Sequence, residues 1–194
     1  MKRVGLFGGS FDPVHNAHVA LARLALEQLG LDQVRWVPVG QAWQKSRELS
    51  DGADREAMVR LAIAGEPRFL LDRIELRRRG VSYTLDTVRE LAAAEPGTEW
   101  VLILGQDQYA GLHTWRDWRE LLALVTLAIA RRPDADAAVN AQIARVRHQL
   151  VDLPMMDISS TEIRRRVAAG EPIAGLVPEA VARYIERRGL YRVH

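Results

Sequence analysis

Apolar runs at 3–7, 34–39, 69–76, 100–104 and 125–130 alternate with helix-period segments near 16–29, 53–64, 84–94, 117–123 and 138–147. This alternation predicts an α/β fold on a mainly parallel sheet. Parallel strands need crossover helices, which cover both sheet faces. The expected architecture is therefore doubly wound and Rossmann-like, with ligands at the carboxyl ends of the strands. Beyond residue 150 the pattern becomes helical, with Ser159 to Ala169 and Pro178 to Arg188 the strongest segments, which adds a small C-terminal helical region from about 155. A length of 194 residues suits one domain, 1–194, able to bury a sizeable core.

The first run, Val4, Leu6 and Phe7, reads as a buried strand that Gly8 and Gly9 end abruptly. Glycine lets backbone N–H groups approach an oxyanion, and the positive end of a following helix favours phosphate. A helix beginning near Asn16, read as its N-cap, places His15 and His18 three positions apart at its mouth, where both reach one phosphate. Residues 40–53 are polar, contain Gly40 and Gly52, and read as a substrate-side loop. The apolar strand from Trp100 to Leu104 ends in Gly105-Gln106-Asp107, so two glycine-bearing strand ends are expected to wall one crevice. Near the other end, Ser159-Ser160-Thr161-Glu162 has capping-box spacing. Pro178 suits a first helical position, and Gly170 and Gly189 suit helix stops. Capping accounts for these hydroxyls; with Arg164 one turn on, the same helix start would also hold a second anion.

Composition narrows the function. A formal charge of +2 is too small to imply nucleic-acid binding, and the short arginine clusters at 77–79, 164–166 and 187–188 read as solvated faces. No uninterrupted apolar run approaches the ~18 residues of a membrane span. The chain enters a strand without a signal-peptide pattern, so the expected location is cytoplasmic. The absence of cysteine removes disulfides, thiolate nucleophiles and cysteine-based zinc sites. A metal reading would recruit Asp12 with the two histidines, but no further cluster at ligand spacing supports it, and no protein metal site is expected. Gly5, Gly8 and Gly9 do not fit G-x-G-x-x-G, and G-x-x-x-x-G-K-[ST] is missing, which argues against a nicotinamide-dependent dehydrogenase. Lysine occurs only at Lys2 and Lys45, which singles out Lys45 in its polar loop.

The segment Gly8-Gly9-Ser10-Phe11-Asp12-Pro13-Val14-His15-Asn16-Ala17-His18 and the later Ile158-Ser159-Ser160-Thr161-Glu162-Ile163-Arg164 together resemble the nucleotidyltransferase superfamily. Between them, Val81-Ser82-Tyr83-Thr84-Leu85-Asp86-Thr87, Gly105-Gln106-Asp107 and His113-Thr114-Trp115-Arg116-Asp117-Trp118 are similar in order and spacing to the nicotinate-mononucleotide adenylyltransferases. The resemblance spans essentially the whole chain. It implies a crevice that binds ATP and nicotinate mononucleotide, whose phosphate attacks the α-phosphorus in line and expels pyrophosphate. Mg²⁺ would ride on the ATP phosphates, and no covalent enzyme intermediate would form. It implies His15 and His18 as the catalytic contacts to the ATP phosphates. It further implies ATP and phosphate binding by Gly8, Gly9, Ser10, Phe11, Lys45, Gly105, Asp107, Ile158, Ser159, Ser160, Thr161 and Arg164. Tyr83, Thr84, Asp107 and Trp115 would bind the mononucleotide, with Trp115 stacked on the pyridine ring, Tyr83 and Thr84 at the nicotinate carboxylate, and Asp107 on a ribose. Trp118 reads as packing. The chain departs from the pattern at Ala17, where the family commonly has glycine, and at Ala42-Trp43-Gln44-Lys45, where it commonly has P-P-H-K. Other readings are the same transfer to nicotinamide mononucleotide or phosphopantetheine, and a nucleotide-binding regulator without turnover. Monomer and homo-oligomer are both open.

Overall fold

A computed structural model of the chain describes residues 1–42, 48–131 and 141–192. Six strands form one sheet: β1 (Arg3–Gly9), β2 (Gln33–Pro38), β4 (Phe69–Leu71), β6 (Glu99–Leu104), β7 (Thr126–Arg131) and β8 (His148–Asp152). All neighbours pair in parallel, in the order β4-β2-β1-β6-β7-β8. The chain winds outward from β1 through β2 to β4, then returns to β6 and winds the other way. The connections leaving β1 and β6 therefore part over the sheet edge, and a crevice opens at that topological switch point. A second sheet of β3 (Gln41–Ala42) and β5 (Val81–Ser82) draws the residues before Thr84 up to the loop that follows β2.

Alternation along the central strands sets the two faces of the core. From β1, Val4 and Leu6 join Trp100, Leu102 and Leu104 of β6 on one face, under Leu85, Val88 and Leu91 of α4 (Thr84–Ala94) and Leu121 of α6 (Trp118–Leu124). Phe7 joins Val101 and Ile103 on the other face. They pack under α1 (Asn16–Gln28), α2 (Gly52–Ile63), α8 (Ser160–Ala168) and α9 (Glu179–Arg188) through Leu21, Met58, Ile163 and Val181. Gly5 lies on this second face, where a Cβ would stand 2.9 Å from Ile103 Cδ1 and Leu31 Cδ1, so the close packing of β1 needs its bare backbone.

Several expectations shift. β8 lies where the sequence pattern gave no strand, and the helix expected over 138–147 is described only as α7 (Ala141–Ala144), residues 132–140 being outside the described set. The run at 69–76 divides into β4 and a short α3 (Ile74–Arg77). Asn16 is the first helical residue of α1, and His15 takes the N-cap in extended conformation. The side chain of Asn16 donates instead to the Gly175 carbonyl at 2.8 Å, fastening the start of α1 to the C-terminal region. Pro178 likewise caps α9 from just outside it.

Candidate active site

The segment after β1 is held from several directions. Phe11 adopts φ 46°, in the left-handed region where an L-residue is uncommon, and its ring is buried between Phe7, Trp36 and His18. Any contact of Phe11 with a ligand would therefore be through its backbone. The Asp12 side chain is fully buried, and its Oδ2 accepts the Ser50 N–H at 3.1 Å. Ala17 is 6% exposed, so its methyl is largely covered by the protein.

His15 and His18 stack, with ring centroids 3.6 Å apart. The His15 N–H donates to His18 Nδ1 at 3.1 Å. A neutral imidazole that accepts at Nδ1 carries its proton on Nε2. Burial, followed by the neighbouring His15 imidazole, holds the His18 pKa well below the ordinary histidine value. His18 is thus a neutral ring with an Nε2–H to donate.

The helix start near Ser159 lies against this same segment. Ser160 Oγ donates to the Pro13 carbonyl at 2.9 Å, and Arg164 Nη1 donates to the Asp12 carbonyl at 2.8 Å. Arg164 Nη2 also donates to Thr161 Oγ1 at 3.2 Å. Ser159 Oγ accepts the Glu162 N–H at 3.1 Å, as an N-cap does, while Glu162 itself faces Arg165 and Arg166. Ile158 packs on the core.

On the opposite flank, Gly8, Gly9 and Ser10 line a cavity of about 130 Å³ together with Val37, Leu102, Ser82, Thr84, Thr87, Glu75 and Trp115. That volume is small against the ~300–1,000 Å³ of a typical whole-ligand pocket. It therefore suits one ring, with the remainder of a ligand lying in the open crevice. Thr84 opens α4, and Trp115 is half-buried against the core at the cavity wall. Tyr83 stands beside it as the N-cap of α4, with the Arg116 guanidinium 4.7 Å from its ring centroid. Gly105 caps α5 (Gln106–Ala110), Asp107 is exposed on the first turn of that helix, and Gln108 supplies the lining side chain. Lys45, Gln44 and Trp43 lie outside the described residues.

Four groups here escaped the sequence reading. The guanidinium of Arg55, itself buried, donates to the carbonyls of Ser50, Ser10 and Val39 at 2.9, 3.1 and 2.7 Å, joining the ends of β1 and β2. Its sequence context, Asp54-Arg55-Glu56, looks like a solvated charge run. Glu75 is buried and accepts the Thr87 hydroxyl at 2.8 Å. Burial raises its pKa, against the opposing pull of Thr87, Arg78 and the Gly40 N–H. Gly40 passes so close that a Cβ there would meet the Glu75 carbonyl oxygen at 2.2 Å, a contact no side chain tolerates. Ser82 Oγ is buried without a hydrogen-bond partner at the edge of the cavity, and Tyr191 reaches Asp12.

The cytidylyltransferase-like family matches residues 6–166. A protein of Methylibium petroleiphilum named as a probable nicotinate-nucleotide adenylyltransferase is 49% identical over 196 residues, covering 98% of this chain and 92% of its own. One of Bordetella petrii bearing the same name is 47% identical, covering 99% and 100%. Plasmodium falciparum nicotinic acid mononucleotide adenylyltransferase, solved in complex with NaAD, superposes with a TM-score of 0.82 over 98% of both chains at 19% identity, a likeness of fold. The match in sequence runs from the first strand through the Ser159 helix that closes on it, and the chain belongs to the cytidylyltransferase-like family, among its nicotinate-nucleotide adenylyltransferases.

Proposed function

We propose that this chain transfers the adenylyl group of ATP to nicotinate mononucleotide, giving nicotinate adenine dinucleotide and pyrophosphate in NAD biosynthesis. One observation carries the reading: a single segment, 8–18, has a ring-sized cavity on one flank and the cationic helix start at Arg164 on the other. A mononucleotide in the first and a triphosphate against the second bring two phosphates together over the loop. The acceptor phosphate oxygen forms its bond to the α-phosphorus as the bond to pyrophosphate breaks on the opposite side. Catalysis then consists of alignment and of stabilising charge on the equatorial oxygens.

Each part has a matching role. His18 donates Nε2–H to a phosphate oxygen, and His15 stands beside it at the same mouth. The amides of Gly8, Gly9 and Ser10 and the first N–H groups of α8 face the polyphosphate, with Arg164 and Lys45 as cations. Ser159 and Thr161 each keep a hydroxyl proton to donate. Gly105 and Asp107 sit at the ribose, Trp115 against the pyridine ring, and Tyr83 and Thr84 at its carboxylate. The donor set is made of amides, imidazoles and guanidinium, and no group of three or more His, Cys, Asp or Glu residues among the described residues could hold a metal ion. Such a site fits Mg²⁺ carried by the ATP phosphates, where it would neutralise charge on the leaving pyrophosphate. No helix among the described residues is long and apolar enough to cross a membrane, and we place the activity in the cytoplasm.

Pyrophosphate release measured with nicotinate mononucleotide, nicotinamide mononucleotide and phosphopantetheine as acceptors tests the reading. Preference for the nicotinate form by kcat/KM supports it, and preference for either of the others refutes it. Trp115→Ala should raise KM for the mononucleotide about tenfold with KM for ATP nearly unchanged, the scale of one lost ring stack. Equal weakening of both substrates would contradict the stacking role.

A further inference from the structure

A hydrogen bond joins the C-terminal turn to the phosphate segment. Tyr191 Oη donates to Asp12 Oδ1 at 2.6 Å, across 179 positions of sequence. The backbone of Tyr191 has φ 64°, a left-handed conformation that an aromatic residue adopts only where its surroundings hold it. Burial and the Asp12 charge raise the Tyr191 pKa, so the hydroxyl keeps the proton it donates. The other oxygen of Asp12 takes the Ser50 N–H, and the Ser50 carbonyl takes Arg55, which also binds the Ser10 and Val39 carbonyls. Asp12 is thus a buried node between the C-terminal turn, the loop that precedes α2 and the phosphate segment.

We propose that Tyr191 is a positioning residue for adenylyl transfer: its hydroxyl, through the Asp12 carboxylate, holds residues 10–15 in the form that presents His15 and His18. The residue touches neither substrate. Loss of its hydroxyl frees a segment that must be ordered when charge develops on the phosphates, and leaves the Ser82, Thr84 and Trp115 wall of the cavity in place. The kinetic arm of the test rests on the adenylyl-transfer reading; the exchange arm does not.

Tyr191→Phe keeps the ring and deletes the hydroxyl. Backbone amide exchange at 10–15 should quicken about tenfold, and kcat should fall about tenfold, the scale of one hydrogen bond to a charged group. KM for nicotinate mononucleotide should stay within about twofold, because the lost effect is confined to the transition state. Unchanged exchange, or unchanged kcat beside faster exchange, overturns the proposal. Asp12→Asn, which leaves Tyr191 in place, should reproduce both changes, and adding Tyr191→Phe to it should cost less than about twofold more. A full second tenfold loss would show that Tyr191 does not act through Asp12. Should Tyr191→Phe fail to fold, a chain ending at Leu190 is measured in its place and decides by the same two criteria. A wild-type chain that releases no pyrophosphate refutes the adenylyl-transfer reading, and the exchange measurement then decides the role of Tyr191.

Discussion

His18 shows how one residue's surroundings fix its chemistry. Its Nδ1 accepts the His15 N–H, and Phe7 and Phe11 stand edge-on to its ring. It therefore enters the reaction as a neutral donor. His18→Ala should lower kcat on the order of 10²–10³-fold with the circular dichroism spectrum unchanged. The pH dependence follows from the sign of the shift. The folded pKa lies below the unfolded one, so the native chain binds fewer protons between those two values. The contribution of His18 to stability is whole above about pH 6.5. It is lost as pH falls toward the folded value, and kcat should stay flat near neutrality with its acid limb below pH 6.5. His15 and His18 were legible because the glycines and imidazoles that reveal them lie within a few positions of one another. Arg55 and Tyr191 were not, because their partners on the loop are 45 and 179 positions away.

Among the elements, those read correctly carry their own signals. α8 begins at its Ser159 cap, α9 begins one residue past Pro178, and Gly170 and Gly189 follow their ends with φ 70° and 62° as helix stops require. β8 lacks such signals: it is an edge strand with Leu150 exposed, so no continuous apolar run marks it. β3 and β5 pair over two residues each, too short for any periodicity. The capping box at Ser159 forms only half, since Glu162 turns to Arg165 and Arg166 and leaves the Ser159 hydroxyl as the cap. Ser159→Ala should therefore cost about 1 kcal/mol of stability, read as a lower denaturation midpoint at an unchanged m value. An unchanged midpoint would mean that the hydroxyl adds nothing to the helix.

At the scale of the molecule, the C-terminal helices share a core with the sheet. Ile163, Val181 and Ile185 belong to the same buried cluster as Phe7 and Val101. Tyr184 Oη and Arg188 Nε of α9 both donate to Asp54 of α2, at 2.7 and 3.0 Å. We therefore expect residues 1–194 to unfold as one domain, with a single calorimetric transition whose van't Hoff and calorimetric enthalpies agree. A chain ending at residue 154 should not fold, since several large apolar side chains would lose their cover at about 1.5–3 kcal/mol each. Two separated transitions, or a folded truncated chain, would divide the molecule at the helical region.

The sheet order also has a consequence for synthesis. β1 is synthesised before the other strands of its sheet, yet its pairing with β6 joins Arg3 to Glu99, 96 positions later. At ~5–20 residues per second this leaves about 5–20 s in which one edge of the strand bearing the phosphate segment has no neighbour. The crevice between β1 and β6 therefore takes shape only when β6 arrives.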